Sequence, residues 1–265
     1  MKKETVIYTK ASLTKKLKEI AASGWILCGR QGNSGGIGNT LEDLLGIEEN
    51  NLPIPNAAEW ELKTQRLGSA SLTTLLHMEP SPTAMRFVPQ ILLPNYGWEH
   101  AESGKKYPKG EKSFRQTISG KSRSDRGFTV LIDTKNEKVL ISFDAKSVDP
   151  RHAEWLAGVK KNIGLKELNP QPYWGFADLE HKAGTKLLNC FYVQAEVKIE
   201  KGLTYYKYTK VKMLRKFRFE GFLQALADGN ILVDFDSRTG HNHGTKFRLR
   251  QNCFPSLYEE IKDIL

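Results

Sequence analysis

The hydrophobic positions near the start of the chain recur with a helical period. Leu13, Leu17 and Ile20 follow Ser12, a residue suited to cap a helix, and Gly24 stands where such a helix would stop. This predicts a helix over residues 13–23 with one apolar stripe. The run Gly32-Asn33-Ser34-Gly35-Gly36-Ile37-Gly38-Asn39 holds too many glycines for regular structure and predicts a loop. Thr40 with Asp43 three residues on resembles a capping box, opening a second helix through Leu41, Leu44 and Leu45 that carries Glu42. Beyond the turn-forming Pro53-Ile54-Pro55-Asn56 the period changes to two. Glu59-Trp60-Glu61-Leu62-Lys63-Thr64 alternates polar and apolar, as does a strand with Trp60 and Leu62 on its buried face and Glu59, Glu61 and Lys63 on a wet one.

Further along, residues 127–133 and 138–143 read as a strand hairpin with Asn136 in its turn. Residues 187–199 predict a long strand and 205–210 a shorter one. Phe219 to Ala227 has helical spacing, Asp228-Gly229-Asn230 turns the chain, and residues 231–236 and 245–250 read as strands, the second following a histidine-rich turn. With no internal repeat and no clear linker, the pattern predicts a single α/β domain with a mixed central sheet flanked by helices, in two lobes around a cleft.

Composition narrows the partner. An apolar content of 39% supports a real core, and 40 Lys and Arg against 30 Asp and Glu give a net charge of +10, which favours a polyanion. The surplus lies mostly between Lys182 and Arg250. A second basic stretch from Lys105 to Arg126, rich in Gly and Ser, predicts a mobile loop along phosphates, with Lys121, Arg123 and Arg126 as backbone contacts, or else a solvated surface loop. Cys28, Cys190 and Cys253 lack metal-ligand spacing and are odd in number, so neither a disulfide framework nor a zinc site is indicated. That fits a reducing, cytoplasmic setting; the apolar run near the N-terminus is too short for a signal peptide, and no later run reaches membrane length.

Because side chains alternate along a strand, Glu61 and Lys63 project from one face about 7 Å apart. A carboxylate beside an ammonium suits phosphodiester hydrolysis: the acid binds a divalent cation, and the amine stabilises charge or orients water. Taken alone, Glu-x-Lys also describes an ion pair on an edge strand. Asn56, in a turn five positions before Glu61, and a helix delivering Glu42 add oxygen ligands of the kind magnesium requires.

Asn56 through Lys63 resembles the PD-D/E-XK nuclease motif, in which an acidic residue precedes Glu-x-Lys. The segments Gly35-Gly36-Ile37-Gly38-Asn39-Thr40-Leu41-Glu42-Asp43-Leu44-Leu45, Glu49-Asn50-Asn51-Leu52, Gln116-Thr117-Ile118-Ser119-Gly120, Tyr173-Trp174, Tyr205-Tyr206-Lys207-Tyr208 and His241-Asn242-His243-Gly244-Thr245-Lys246-Phe247-Arg248 extend the likeness. They are similar to the MvaI/BcnI restriction endonuclease family and, more remotely, to the mismatch-repair nicking enzyme MutH. The resemblance implies a PD-D/E-XK core (a catalytic lobe around 25–145) and a recognition lobe mainly within 170–250 that clasps duplex DNA. It also implies a type II restriction endonuclease acting as a monomer by sequential nicking at short CC-N-GG-like sites, with Mg2+ and no obligate protein partner.

By this resemblance Glu61 and Lys63 take the catalytic roles, Glu42 a supporting carboxylate role, and Asn56 the place of a metal-binding aspartate. A neutral amide offers one carbonyl oxygen and no charge to a hard cation. An inactivated variant, a natural enzyme using a neighbouring acid such as Glu59, and a DNA-binding protein that does not cut all remain open, as does a MutH-like nickase. Arg favours guanine and acids accept from cytosine N4 in the major groove. Asp234, Asp236, Arg238, His241, His243 and Arg248 carry that vocabulary, and the resemblance places base contacts at Asp234, His241, His243 and Arg248, while Asp236 departs from a member that has arginine there. His77 matches a histidine that in the BcnI branch meets the central base pair together with the match of His241. A metal site at His241-x-His243 lacks a third ligand nearby.

Overall fold

The computed structural model describes residues 8–33, 35–47, 59–250 and 252–265. The chain packs as two compact units, one of Met1–Thr73, Lys182–Phe219 and Gln251–Leu265, the other of Thr74–His181 and Glu220–Arg250. Each is assembled from stretches distant in sequence, whereas the lobes expected at 25–145 and 170–250 are contiguous. The architecture is the expected mixed α/β one, with strands in three sheets rather than one central sheet.

The first unit is built on a five-stranded mixed sheet. Ile26–Leu27, Leu203–Phe217, Asn189–Glu200 and Glu61–Arg66 lie side by side, and Tyr258–Asp263 adds to Leu203–Phe217. Glu61–Arg66 runs parallel to Asn189–Glu200; the other pairings are antiparallel. The helix Lys10–Ala22 starts one turn before the predicted cap. Thr9 is the cap, accepting from Ser12 N at 3.2 Å, and Ser12 takes the third helical position, closing a capping box. Leu13, Leu17 and Ile20 are buried as expected, against a core that includes Trp60, Leu62, Phe191, Val193, Tyr206 and Tyr208.

The second helix, Gly36–Leu45, also begins early, inside the run read as a loop. Its first glycine serves close packing: a Cβ at Gly36 would stand 2.9 Å from both Cys28 Sγ and Tyr206 Oη. Tyr208 Oη then donates to Ile37 O at 2.8 Å, binding the first turn to the sheet. Strand Leu203–Phe217 is longer than the predicted 205–210. It hairpins onto Asn189–Glu200 through Lys201 and Gly202, both at positive φ, and continues past an irregularity at Tyr208/Lys210.

The second unit holds two sheets. In one, Thr73–His77, His241–Leu249, Ile231–Arg238, Lys112–Ser119 and Trp98–Glu99 are ordered side by side; in the other, Arg126–Asp133, Lys138–Val148 and Tyr173–Gly175. The hairpin around Asn136 is as expected, with Asp133 facing Lys138 and accepting from Asn136 N at 3.0 Å. Two expectations need correction. The basic stretch Lys105 to Arg126 is no simple loop, since its middle forms the strand Lys112–Ser119, whose Phe114 and Ile118 are wholly buried. The histidines of the expected turn belong to strand His241–Leu249; Thr239 and Gly240 make the turn. Phe114, Phe128, Phe143, Phe235 and Tyr96 form a chain of tilted and edge-on ring contacts with centroids 5.1–5.6 Å apart. Among the described residues no helix is long and apolar enough to cross a membrane.

Candidate functional site

Strand Glu61–Arg66 is buried on both faces. Trp60 and Leu62 enter the helix-covered core, as the alternation predicts, but the face expected to be wet is not: Glu61 is 1% exposed and Gln65 3%. Lys63 Nζ lies 2.6 Å from Glu61 Oε1, so strand geometry delivers the expected pair. A buried carboxylate requires close partners to offset lost hydration, and a second cation meets it. Lys186, in the last turn of helix Phe176–Leu187, places Nζ 3.6 Å from the same oxygen. Sequence reasoning missed Lys186, since it arrives from a remote helix with no motif around it.

Burial holds the Lys186 ammonium below the usual lysine value, against the opposing pull of Glu61. Behind the carboxylate, Cys190 is the register partner of Glu61 on the parallel strand. Burial and then the Glu61 charge push its thiol well above the usual range; burial, Cys190 and Glu61 do the same to the Tyr258 phenol. Both neighbours are therefore neutral near pH 7, leaving Glu61 facing two amines among the described residues, an arrangement that attracts an anion.

Glu61 supplies a hard oxygen of the type magnesium prefers. Among the described residues no group of three or more His, Cys, Asp or Glu stands ready to hold a metal, and Asn56 lies outside the described residues. Glu42 is half-buried on helix Gly36–Leu45, one turn past Gly38. A Cβ at Gly38 would come 3.2 Å from Thr64 Oγ1, so this helix covers the Leu62 and Thr64 face, while Glu61 and Lys63 project from the other.

In the second unit the predicted base-reading residues converge on a strand pair. Asp234 pairs with Lys246, Leu232 with Arg248, and Arg238 with His241. Asp234 accepts from Thr117 Oγ1 at 2.9 Å through Oδ1 and pairs with Arg248 Nη1 at 3.1 Å through Oδ2. Asp236 faces Arg115 Nε at 3.3 Å and Lys246 Nζ at 3.6 Å. Arg238 is held by Glu111 at 3.1 Å and lies 4.5 Å over the Tyr107 ring. The exposed rings of His241 and His243 meet edge to face, centroids 4.2 Å apart. His77 is exposed on the neighbouring strand, its Nδ1 4.0 Å from where a Cβ on Gly244 would stand. Arg115, Thr117, Lys246 and Glu79 were missed by sequence reasoning. Glu79 accepts from Thr245 N at 2.9 Å and from Thr245 Oγ1 at 3.1 Å, pinning the histidine strand.

Of the three candidate backbone contacts, Lys121 is exposed. The guanidinium groups of Arg123 and Arg126 have partners within the fold. Arg123 donates to Gly127 O at 2.9 Å and to Ser142 Oγ at 3.1 Å. Arg126 is stacked 4.0 Å from the Trp98 ring and 5.6 Å from Trp155, with Asp125 at 3.8 Å.

A model of the MvaI/BcnI restriction endonuclease family matches residues 14–258, a span that includes both the Glu61 site and the polar strand pair. Comparison with curated proteins gives no match. Among solved structures, the complex of restriction endonuclease MvaI with its cognate DNA substrate is 26% identical over 97% of this chain and 100% of that one, with a TM-score of 0.77. The same enzyme in the absence of DNA is 26% identical over 99% and 100%, with a TM-score of 0.54.

Proposed function

Because the chain belongs to the MvaI/BcnI restriction endonuclease family, and is therefore a site-specific deoxyribonuclease, we propose that it cuts duplex DNA at a short CC-N-GG-like site with magnesium, one chain acting alone. The observation that carries this reading is the buried Glu61 carboxylate with Lys63 at 2.6 Å on the same strand.

In this reading Glu61 would hold the cation, with Asn56 contributing a carbonyl oxygen; Glu42, on the helix over the opposite face of the strand, does not join them. A magnesium ion bound there supplies Lewis acidity toward the scissile phosphate and lowers the pKa of a coordinated water. Lys63, fixed against Glu61, presents its ammonium where negative charge develops on the phosphate oxygens, and Lys186 adds a second positive group at the same carboxylate. Asp234, Arg238, His243 and Arg248 read base edges, His77 and His241 meet the central pair, and Lys121 lies on the backbone. The position of Asp234 and Arg248 on one face of a strand pair supports that assignment.

Asn56 favours one second reading, a protein that binds DNA without cutting. Supercoiled plasmid incubated in magnesium with this chain and with Asn56→Asp separates the two. Cutting by both forms, with the Asp form needing less magnesium, is the expected outcome; cutting by the Asp form alone would favour the second reading, and no cutting by either form would sink the endonuclease reading for this chain.

A further inference from the structure

Arg115, on the polar face of the second unit, has no part in the foregoing roles. Arg115 projects from the middle of strand Lys112–Ser119, opposite Asp236 in register, on the face shared with Thr117, Asp234 and Lys246. Its side chain is 68% exposed, while those of Asp236 and Lys246 are only 20% exposed. The guanidinium therefore stands above a floor of mutually engaged charges.

We propose that Arg115 reads a guanine in the major groove and that Asp236 is its positioning residue; this rests on the reading that this sheet face meets duplex DNA. Asp236 Oδ1 faces Arg115 at Nε, 3.3 Å away, and its Oδ2 faces Lys246. Because Nε is the atom that meets the carboxylate and the side chain is largely exposed, the two Nη groups are left for an acceptor outside this ion pair. Two parallel N–H donors at the end of a fixed side chain match the adjacent O6 and N7 acceptors of guanine. A carboxylate behind the arginine removes rotamer freedom before binding, which serves a contact that must find one base edge. A phosphate oxygen accepts from many directions and gains less from such fixation. Asp236, with one oxygen toward each cation, then acts through Arg115 rather than by accepting from cytosine.

Selection from a pool of duplexes with a randomised central window tests this. The chain and its Arg115→Ala, Arg115→Lys and Asp236→Asn variants are compared by sequencing the bound fraction, with calcium in place of magnesium so that binding is read without cutting. The unsubstituted chain should select a motif. Arg115→Ala should lower discrimination at a single G·C pair by about 10- to 100-fold and leave the other positions unchanged. Arg115→Lys should relax the same pair, because lysine keeps the charge but not the fork, and Asp236→Asn should relax it by less. Uniform weakening across sequences that Arg115→Lys restores would make Arg115 a phosphate contact and overturn the proposal. An unchanged motif in Arg115→Ala would overturn it as well. Failure of the unsubstituted chain to select any motif would remove both the proposal and the sequence-specific reading beneath it.

Discussion

Glu61 is a buried acid whose neighbours account for its survival in the core. Its two amine contacts fall on one oxygen, and the adjacent thiol and phenol are held neutral by burial. Removing one partner of a buried pair leaves a poorly compensated charge, costing about 3–5 kcal/mol in drier settings, and less here because Lys186 remains. Lys63→Ala should therefore lower the melting temperature and slow cleavage about 10²- to 10³-fold. Glu61→Gln keeps the shape but leaves the Lys63 and Lys186 ammoniums uncompensated, so it should abolish cleavage and lower the melting temperature as well. Single-turnover cleavage alongside thermal melts reads both; a Lys63→Ala enzyme that cuts at full rate would remove Lys63 from the chemistry. The pairing of positions 61 and 63 was legible because strand alternation dictates it. The depth of Glu61 was not, since a polar residue in a period-two pattern reads as wet whenever the second covering layer comes from elsewhere in the chain. Helix Phe176–Leu187, which brings Lys186, is such a late arrival.

The elements themselves were read well where one local period decides them, as in Phe219–Ala227 and the hairpin around Asn136. They were misread where tertiary contact overrides composition. Gly36 looked like loop material because glycine costs about 1 kcal/mol in a helix, yet its missing side chain is what lets the helix approach Cys28 and Tyr206. The strand Lys112–Ser119 was hidden within a run of charges, although Phe114 and Ile118 already alternate with Arg115 and Thr117. Strand His241–Leu249 depends on a side chain no pattern announced. Glu79 holds Thr245 through both the backbone and the hydroxyl, and accepts from Asn242 at 3.4 Å. Charged hydrogen bonds to partly buried groups contribute about 1.5–3 kcal/mol. Glu79→Ala should thus destabilise the protein by an amount of this order in denaturant unfolding. It should also weaken DNA binding while leaving the Glu61 site chemically intact. If melting and binding both stay at the level of the unsubstituted chain, the pin is ornamental.

For the molecule as a whole, the decisive count is one Glu61–Lys63 pair per chain against the two scissile phosphates that the proposed CC-N-GG-like site would present on opposite strands. A chain acting alone can engage one phosphate at a time, so double-strand cleavage requires two hydrolytic events separated by release or reorientation. Under substrate excess, supercoiled plasmid should pass through an open-circular form that accumulates before linear product. Adding excess competitor duplex after the first nick should trap that form if the enzyme leaves the DNA between cuts. The net charge of +10 adds a lever: ion release makes association fall steeply with salt, so higher salt should lengthen the nicked stage by slowing rebinding without touching the chemistry at Glu61. Linear product formed directly from supercoiled plasmid, at a rate rising with the square of protein concentration, would instead show two chains cutting in concert. The single-site account of cleavage would then give way to a dimeric one.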